Sequence, residues 1–543
     1  MAEQTNQDSG EPGVLIVGAG AAGLMLACDL LQQGVDVRVV DRRELLDNGD
    51  PHSRAVLIWP RMLELLHRIG IVDELVGLGF RITGVSYFSS GRRLGTVPMD
   101  TLGTARPYTL SLPQREIERV LRKRHEELGG RIELGLTLEE LDNSGPLPVA
   151  LLRHSSGAAE IVRPQWLVGA DGVGSATRRL LGIGYPGNSF ELGISIGDFP
   201  VSGPNGTHVE YHYSRFGLLP VIPMGSGVGR LASIVPPVGD GWQSLSRDQL
   251  QAIVDKRASL PYTIGEPKWI RTFQPRPGIA ERFRDGRCLL VGDSAHCLVP
   301  LGGQGLNLGI QDVFNVSWKL AGVIQGRLRD SVLDSYDTER RVAARQVTAV
   351  VDKQILAARQ VKRWPSLLRD TVMTLGRWAG LGRRLAAPLI SQVGLAYGEP
   401  QTRSLLRPQP RRARPGQRVP FYPPSSPATA RPALDLSRHM VLLWPGRRVR
   451  ADWGSVRAAV SGAVGGRAPV HDLAELPAGE RRQLLATFGG RPVLAVVRPD
   501  GHLAELSPVS RPGAVADFLR SLAPEAVNAR STSAAGPTSL ASA

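Results

Sequence analysis

Along this chain the apolar positions change period several times, and each change marks a different element. An apolar run over 14–17, a glycine-rich turn, the amphipathic stretch LMLACDLLQQG and a second apolar run, VDVRVVD, read as strand, turn, helix and strand. A short helix is predicted over 60–66. Residues 114–128 repeat apolar positions at helical spacing (Ile117, Val120, Leu121, Leu128), while RITGVSYFSSGRRLGTVPM before them reads as a short irregular β region. Residues 190–275 alternate apolar and polar positions between Gly and Pro breaks, the pattern of an antiparallel sheet. A buried strand returns at RCLLVGD, a long helix is predicted over 305–322, and helices continue to about residue 388. A Pro/Arg-rich linker (400–432) separates a smaller α/β unit (433–523). The polar start (1–12) and the Ser/Ala/Thr-rich tail (524–543) are expected to be disordered.

Composition narrows the classes. A chain of 543 residues is too long for one ordinary core and implies two or three domains. The first ten residues lack both a basic start and an apolar core, so no secretory signal is expected. The most apolar stretch, 14–31, carries three glycines and Asp29, which argues against a membrane span. The three cysteines, Cys28, Cys288 and Cys297, form no CxxC pair, so a disulfide framework or dithiol motif is not expected and a reducing cytoplasm fits. Cys28 and Cys297 read as small buried side chains. A net charge of +15 raises the question of nucleic acid. The basic run over 407–418 is Pro-rich without interleaved aromatics, so it reads as an exposed linker and no nucleic-acid partner is expected. The charge would instead steer anionic dinucleotides toward the protein.

The turn after the first strand is Gly18-Ala19-Gly20-Ala21-Ala22-Gly23, a GxGxxG between an apolar strand and an amphipathic helix. Gly18 permits the tight turn, Gly20 lets the backbone approach a pyrophosphate, and Gly23 lets helix and strand pack closely. The helix N-terminus offers free N–H groups to phosphate. Asp41 ends the second strand, where a carboxylate can accept both hydroxyls of an adenosine ribose, which favours FAD or NAD over NADP at this turn.

Two later motifs add Asp171-Gly172, with Ser175 and Arg178 downstream (WLVGADGVGSATRRLLG), and Gly292-Asp293 followed by the loop Gly302-Gly303-Gln304-Gly305 (RCLLVGDSAHCLVPLGGQG). In these three motifs, in this order, the chain resembles the FAD-dependent aromatic hydroxylases typified by 4-hydroxybenzoate hydroxylase. It is most similar to the larger branch with phenol, pentachlorophenol, rifampicin and aromatic-polyketide hydroxylases, over about residues 14–397.

The resemblance implies an α/β fold: a Rossmann-like FAD-binding domain (13–80, 105–188, 280–355), an inserted antiparallel-sheet substrate domain (81–104, 189–279), a helical segment (356–399) and a C-terminal thioredoxin-like domain. It implies FAD contacts at Gly18, Gly20, Gly23, Asp41, Arg54, Gln114, Asp293, Gly303 and Gly305, with Asp171 where FAD meets a visiting NADPH (or NADH). Asp293 would bind ribityl hydroxyls, and the helix after Gly305 would aim its positive end at the flavin pyrimidine. Pro300, through its carbonyl, and Arg54 are the catalytic candidates. Tyr211, Tyr213 and Phe216 are substrate candidates, although ordinary sheet packing explains each of them too. His296 reads as a packing residue beside the cofactor turn. His208 and His212 lie four apart on a strand, roughly 13 Å, too far to share a metal ion, and no other metal motif occurs.

The function implied is hydroxylation of a phenolic or polycyclic aromatic substrate with NADPH (or NADH) and O2 through a flavin C4a-hydroperoxide. Only one strand–GxGxxG–helix unit is present, so the nicotinamide cofactor must visit transiently. An epoxidase, a Baeyer–Villiger oxygenase or a non-catalytic FAD protein sequestering an aromatic intermediate remain alternatives, whereas a halogenase would need a WxWxIP segment, which does not occur. The protein is expected to be cytoplasmic, a monomer or homodimer.

Overall fold

A computed structural model describes residues 11–46, 56–187, 193–204, 206–236, 243–359, 363–378, 380–397, 413–420 and 438–524. Its central sheet has six strands in the spatial order Arg284–Asp285, Cys288–Leu290, Trp166–Gly169, Val14–Val17, Val37–Asp41 and Ile132–Leu134. All pairings but the first are parallel. Strands covered on both faces carry near-continuous apolar runs, as VLIV and WLVG do here, every residue buried. The helices Ala21–Gln32 and Gly305–Ile324 pack together on one face and are buried along most of their length. This is the Rossmann-like architecture expected for the first domain. It sets four turns side by side at the carboxyl ends of the parallel strands, after Val17, Asp41, Gly169 and Leu290, where open α/β sheets bind ligands.

The second large sheet runs in the order Thr263–Ile264, Gly193–Ser202, Val228–Val235, Gly217–Gly225, His208–Ser214, Gly84–Ser89 and Arg92–Pro98, with Trp269–Phe273 also on Gly193–Ser202. It is antiparallel except at one seam, where His208–Ser214 pairs in parallel with Gly84–Ser89. That seam joins two stretches far apart in the chain, so no hairpin dictates its direction. The region also contains the helix Arg247–Arg257, which the alternation did not predict. Only Leu250 and Val254 are buried on it, too few for a periodic signal, and its N-terminus rests on a capping box between Ser246 and Gln249.

The C-terminal region forms a four-stranded sheet, Val470–Asp472, Met440–Trp444, Val493–Val497 and Leu503–Pro508, with the helices Trp453–Val464, Ala478–Phe488 and Pro512–Ser521. Buried charge ties it to the rest: Arg498 pairs with Glu339 and Asp500, Arg418 with Glu64, and Arg61 donates to the Asp500 carbonyl. Among the described residues no helix is long and apolar enough to cross a membrane.

Candidate active site

A cavity of about 900 Å³ opens between the carboxyl ends of the parallel strands and one face of the second sheet. The three glycines of the first turn serve it differently. Gly18 has φ +113°, and a Cβ there would lie 2.5 Å from the Ala170 carbonyl oxygen. A Cβ on Gly23 would lie 1.9 Å from the Gly18 oxygen. Both are demanded by the protein's own packing. A Cβ on Gly20 would meet nothing within 4 Å, and Gly20 borders the cavity. The bare backbone there leaves room for something from outside the chain.

Asp41 departs from the picture of a carboxylate open to ribose. It is buried and accepts the Ala19 N–H (2.7 Å), the Arg43 N–H (2.9 Å) and two guanidinium bonds from Arg43 (2.9 Å each). Burial alone would push its carboxyl up, but the bonds from Arg43 and Ala19 hold it below the usual range. Arg43, folded back over it, is the residue that borders the cavity. Gln114, first residue of the helix Gln114–Glu127, also borders it and donates to Glu118 (2.9 Å). Arg54 lies outside the described residues.

Asp171 faces away from the cavity. One of its oxygens accepts the Thr177 N–H (2.9 Å) and hydroxyl (3.0 Å), while its neighbours Ala170, Gly172 and Val173 form the cavity wall. Arg178 donates to the Ser294 and Val173 carbonyls (2.7 and 2.8 Å) and lies 3.9 Å from the Tyr185 ring centre. The Asp-Gly segment thus buttresses the turn carrying Asp293, which projects, exposed, into the cavity.

Beneath that turn, the Gly292 N–H donates to Asp312 (3.1 Å), a fully buried acid also held by His296 and by Arg340 (2.7 Å). Burial would raise the Asp312 carboxyl, but His296 and Arg340 outweigh it and keep it ionised. His296 is therefore a supporting residue. Asp312 and Arg340 went unread in the sequence, although an acid amid the apolar run of LNLGIQDVF is a visible anomaly.

The loop from Pro300 into the helix Gly305–Ile324 borders the cavity throughout, with Gly302 and Gly303 at φ +78° and +62°. Asn307 clamps it: its amide donates to the Leu57 and Gly303 carbonyls (2.8 and 2.6 Å), and its oxygen accepts the Trp59 N–H (2.8 Å). Gln304 donates to the Ile390 carbonyl (3.0 Å) and accepts from Gln392 (2.6 Å). A Cβ at Gly305 would meet nothing within 4 Å. The positive end of a 20-residue helix therefore faces open space.

The opposite wall is the second sheet. Tyr211 borders the cavity, and burial pushes its phenol well up, so it stays neutral and able to donate. Tyr213 does not border it; it lies behind, stacked on Tyr87 (6.4 Å), which in turn stacks on Tyr211 (5.5 Å). Phe216 is 46% exposed, because it sits in the turn between His208–Ser214 and Gly217–Gly225 rather than on the sheet face. His212 points to the other face and meets Glu210, as strand alternation requires.

Arg230 went unread: it is fully buried, borders the cavity, and makes two bonds to Asp198 (2.7 and 2.9 Å), which also accepts from Trp269 (2.8 Å). An arginine inside VGRLASIV was the signal. Burial raises the Cys28 and Cys288 thiols to about 12, so both are inert. Cys297 is only half-buried and borders the cavity. Among the described residues no group of three or more His, Cys, Asp or Glu is placed to hold a metal ion.

The family model for an FAD binding domain matches residues 11–351. The 12-dehydrotetracycline 5-monooxygenase/anhydrotetracycline 6-monooxygenase of Streptomyces rimosus is 31% identical over 423 residues, 76% of this chain and 80% of that enzyme. The 6-methylpretetramide 4-monooxygenase of Streptomyces rimosus is 35% identical over 344 residues, 61% of this chain and 59% of that one. This chain spans between 59% and 65% of the length of three of the curated relatives it matches. Among solved structures, the anhydrotetracycline hydroxylase OxyS from Streptomyces rimosus superposes with a TM-score of 0.71 at 26% identity, covering 94% of this chain and 98% of that one. With the Rossmann-like sheet and its glycine turns, these matches place the chain in the FAD-binding-domain family, alongside the monooxygenases to which it is similar.

Proposed function

We propose that the protein binds one FAD without covalent attachment, takes hydride from NADPH or NADH, and hydroxylates a phenolic or polycyclic aromatic substrate with O2. The observation that carries this reading is one cavity with two unlike walls. One wall is built of turns, open glycines and a helix N-terminus; the other is an aromatic and apolar sheet face with one buried cation. The residues fit FAD: Gly20 and Gly305 leave backbone uncovered, Asp293 offers a carboxylate to a polyol, and Arg43 and Gln114 line the far end. Bound FAD would supply the hydride acceptor and the oxygen-activating centre.

The chain's own residues do the rest. Gly18, Gly20 and Gly23 shape the pyrophosphate turn, Asp41 acts through Arg43, and Asp171 acts by bracing the Asp293 turn. Gly303 and Gly305, at the start of the helix Gly305–Ile324, would offer backbone N–H groups and the helix's positive end to negative charge on a bound flavin. On the sheet side Tyr211 can donate to a substrate oxygen, the Pro300 carbonyl can accept from one, and the buried Arg230–Asp198 pair supplies a fixed dipole in the same wall. Tyr213 supports Tyr211 from behind through Tyr87. Arg54 retains a proposed place near the pyrophosphate on its motif alone. The division into FAD-binding segments (13–80, 105–188, 280–355) and substrate segments (81–104, 189–279) follows the same two walls. The C-terminal thioredoxin-like unit, without cysteine, has a structural role. Three cysteines that form no CxxC pair suit the cytoplasm, and the protein would act as a monomer or homodimer.

The test is turnover with isotopically labelled O2 across phenols and polycyclic aromatics. Substrate-dependent oxidation of NADPH or NADH should place one labelled oxygen atom on the aromatic product. Tight aromatic binding with no oxygen incorporation, and only background nicotinamide oxidation, would identify a binder or a non-oxidative enzyme instead.

A further inference from the structure

The helix Arg363–Trp378 carries an apolar face that nothing among the described residues covers. Trp364 is 81% exposed, Leu367 48%, Leu368 67%, Val372 60% and Leu375 63%. Their spacing, i, i+3, i+4, i+8 and i+11, places all five on one stripe about 140° wide at 3.6 residues per turn. The opposite face is the one that packs: Arg369 lies over the Tyr213 ring at 4.3 Å, and Met373 and Arg377 approach Gly95. Large apolar side chains elsewhere on the surface, such as Ile161 and Val449, are isolated in the chain and need no explanation. A contiguous stripe that includes a tryptophan does.

Charge decides between partners. Residues 363–397 contain five arginines and one acid, Asp370, a net of +4, with Arg369 and Arg377 on the packed face. Asp370 is already bonded to Arg369 (2.7 and 2.9 Å). Arg383 and Arg384 are exposed on the turn that follows the helix, and Arg92 and Arg93 are exposed on the neighbouring strand Arg92–Pro98. A second copy joined about a two-fold axis would set this basic rim against itself, with no free carboxylate in the segment to neutralise it. A surface of lipid phosphates supplies the missing charge, and acyl chains supply a place for the stripe.

We propose that this helix is a membrane-surface contact that seats its apolar face in an anionic lipid bilayer. It lies two aromatic layers from the cavity, through Tyr213 and Tyr87 to Tyr211, so the contact would bring the substrate wall close to a phase in which polycyclic aromatics dissolve.

The experiment is flotation of the FAD-loaded full chain with vesicles of phosphatidylcholine alone or of an equimolar mixture with phosphatidylglycerol. Binding should require the anionic lipid, weaken with salt, and fall about tenfold or more in Leu368→Glu/Leu375→Glu. Trp364→Glu should act in the same direction, and Ile161→Glu, a distant exposed apolar site, should bind like the parent. Flavin content and circular dichroism of each variant report that the fold is intact. Failure of the parent protein to bind anionic vesicles would overturn the proposal, as would equal binding by the double variant. A parent dimer that the double variant dissociates, with no vesicle binding, would make this face a subunit contact and equally overturn it.

Discussion

At the level of single residues, the glycine turn separates what the fold needs from what a cofactor needs. Gly23→Ala forces a Cβ to 1.9 Å from the Gly18 oxygen, so the strand and helix must part. A Cβ at Gly20 meets no protein atom within 4 Å, so the Gly20→Val side chain is directed into the space left for the pyrophosphate. Gly20→Val should therefore keep its far-ultraviolet circular dichroism and lose FAD, while Gly23→Ala should lose thermal stability first; equal FAD occupancy in Gly20→Val and the parent would remove Gly20 from the site. Asp293→Ala should lose a charge-assisted bond of about 1.5–3 kcal/mol, roughly a tenfold to hundredfold weaker retention of FAD. Flavin occupancy after dialysis measures it, and parental occupancy would make Asp293 an ordinary turn acid. The roles of the glycines were legible because each follows from local backbone geometry. Asp41 was legible only in part. Its position at a strand end is local, whereas the closing of Arg43 over it is a side-chain choice.

At the level of elements, hydrophobic period located the main pieces. The helices Pro60–His67, Gln114–Glu127 and Gly305–Ile324 lie where apolar spacing predicted them. The helix Arg247–Arg257 and the helix Trp453–Val464 escaped, since each buries only two or three side chains. The loop before Gly305–Ile324 depends on one residue of that helix. Asn307→Ala would leave the buried Trp59 N–H and two carbonyls without their bonds, a cost of about 1–3 kcal/mol for the unsatisfied donor alone. The expected result is a lower melting temperature of the apoprotein together with weakened FAD binding. Unchanged values for both would mean that the loop is held by Gln304 and Gln392 instead.

For the whole molecule, the C-terminal unit is joined to the FAD-binding helices by buried charge. Glu339 meets Arg498 from the C-terminal sheet and Lys319 from the long helix. Burial would raise Glu339, yet Arg498 and Lys319 hold it at about 2, against about 4.5 for an ordinary glutamate. A carboxyl whose folded value is depressed favours the folded state above its unfolded value. That contribution is present at neutral pH and is lost as pH falls from about 4.5 toward 2. Arg498→Met removes the stronger partner, leaves Asp500 and Glu339 short of positive charge, and should cost about 3–5 kcal/mol at neutral pH. Its loss of stability between about pH 4.5 and 2 should also be smaller, because the Glu339 carboxyl moves back toward its unfolded value. Thermal denaturation as a function of pH reads both effects, and a variant as stable as the parent at pH 7 would mean the network adds nothing to folding.

The residues themselves determined the dinucleotide turn, the strand-end acids, the glycine loop before the long helix and the alternating sheet, because each is a matter of neighbours along the chain. Three things were decided only by the tertiary structure. The parallel seam between His208–Ser214 and Gly84–Ser89 completes the sheet that walls the cavity, and no local turn specifies it. The buried partners Asp198–Arg230 and Asp312–Arg340 come from strands and helices distant in sequence, so neither member advertises the other. The orientation of Tyr211 toward the cavity and of Phe216 toward solvent depends on where one strand ends, and that end is set by its pairing with the next strand. Long-range pairing has no signature within a window of sequence, and a cavity is defined only when both of its walls are in place.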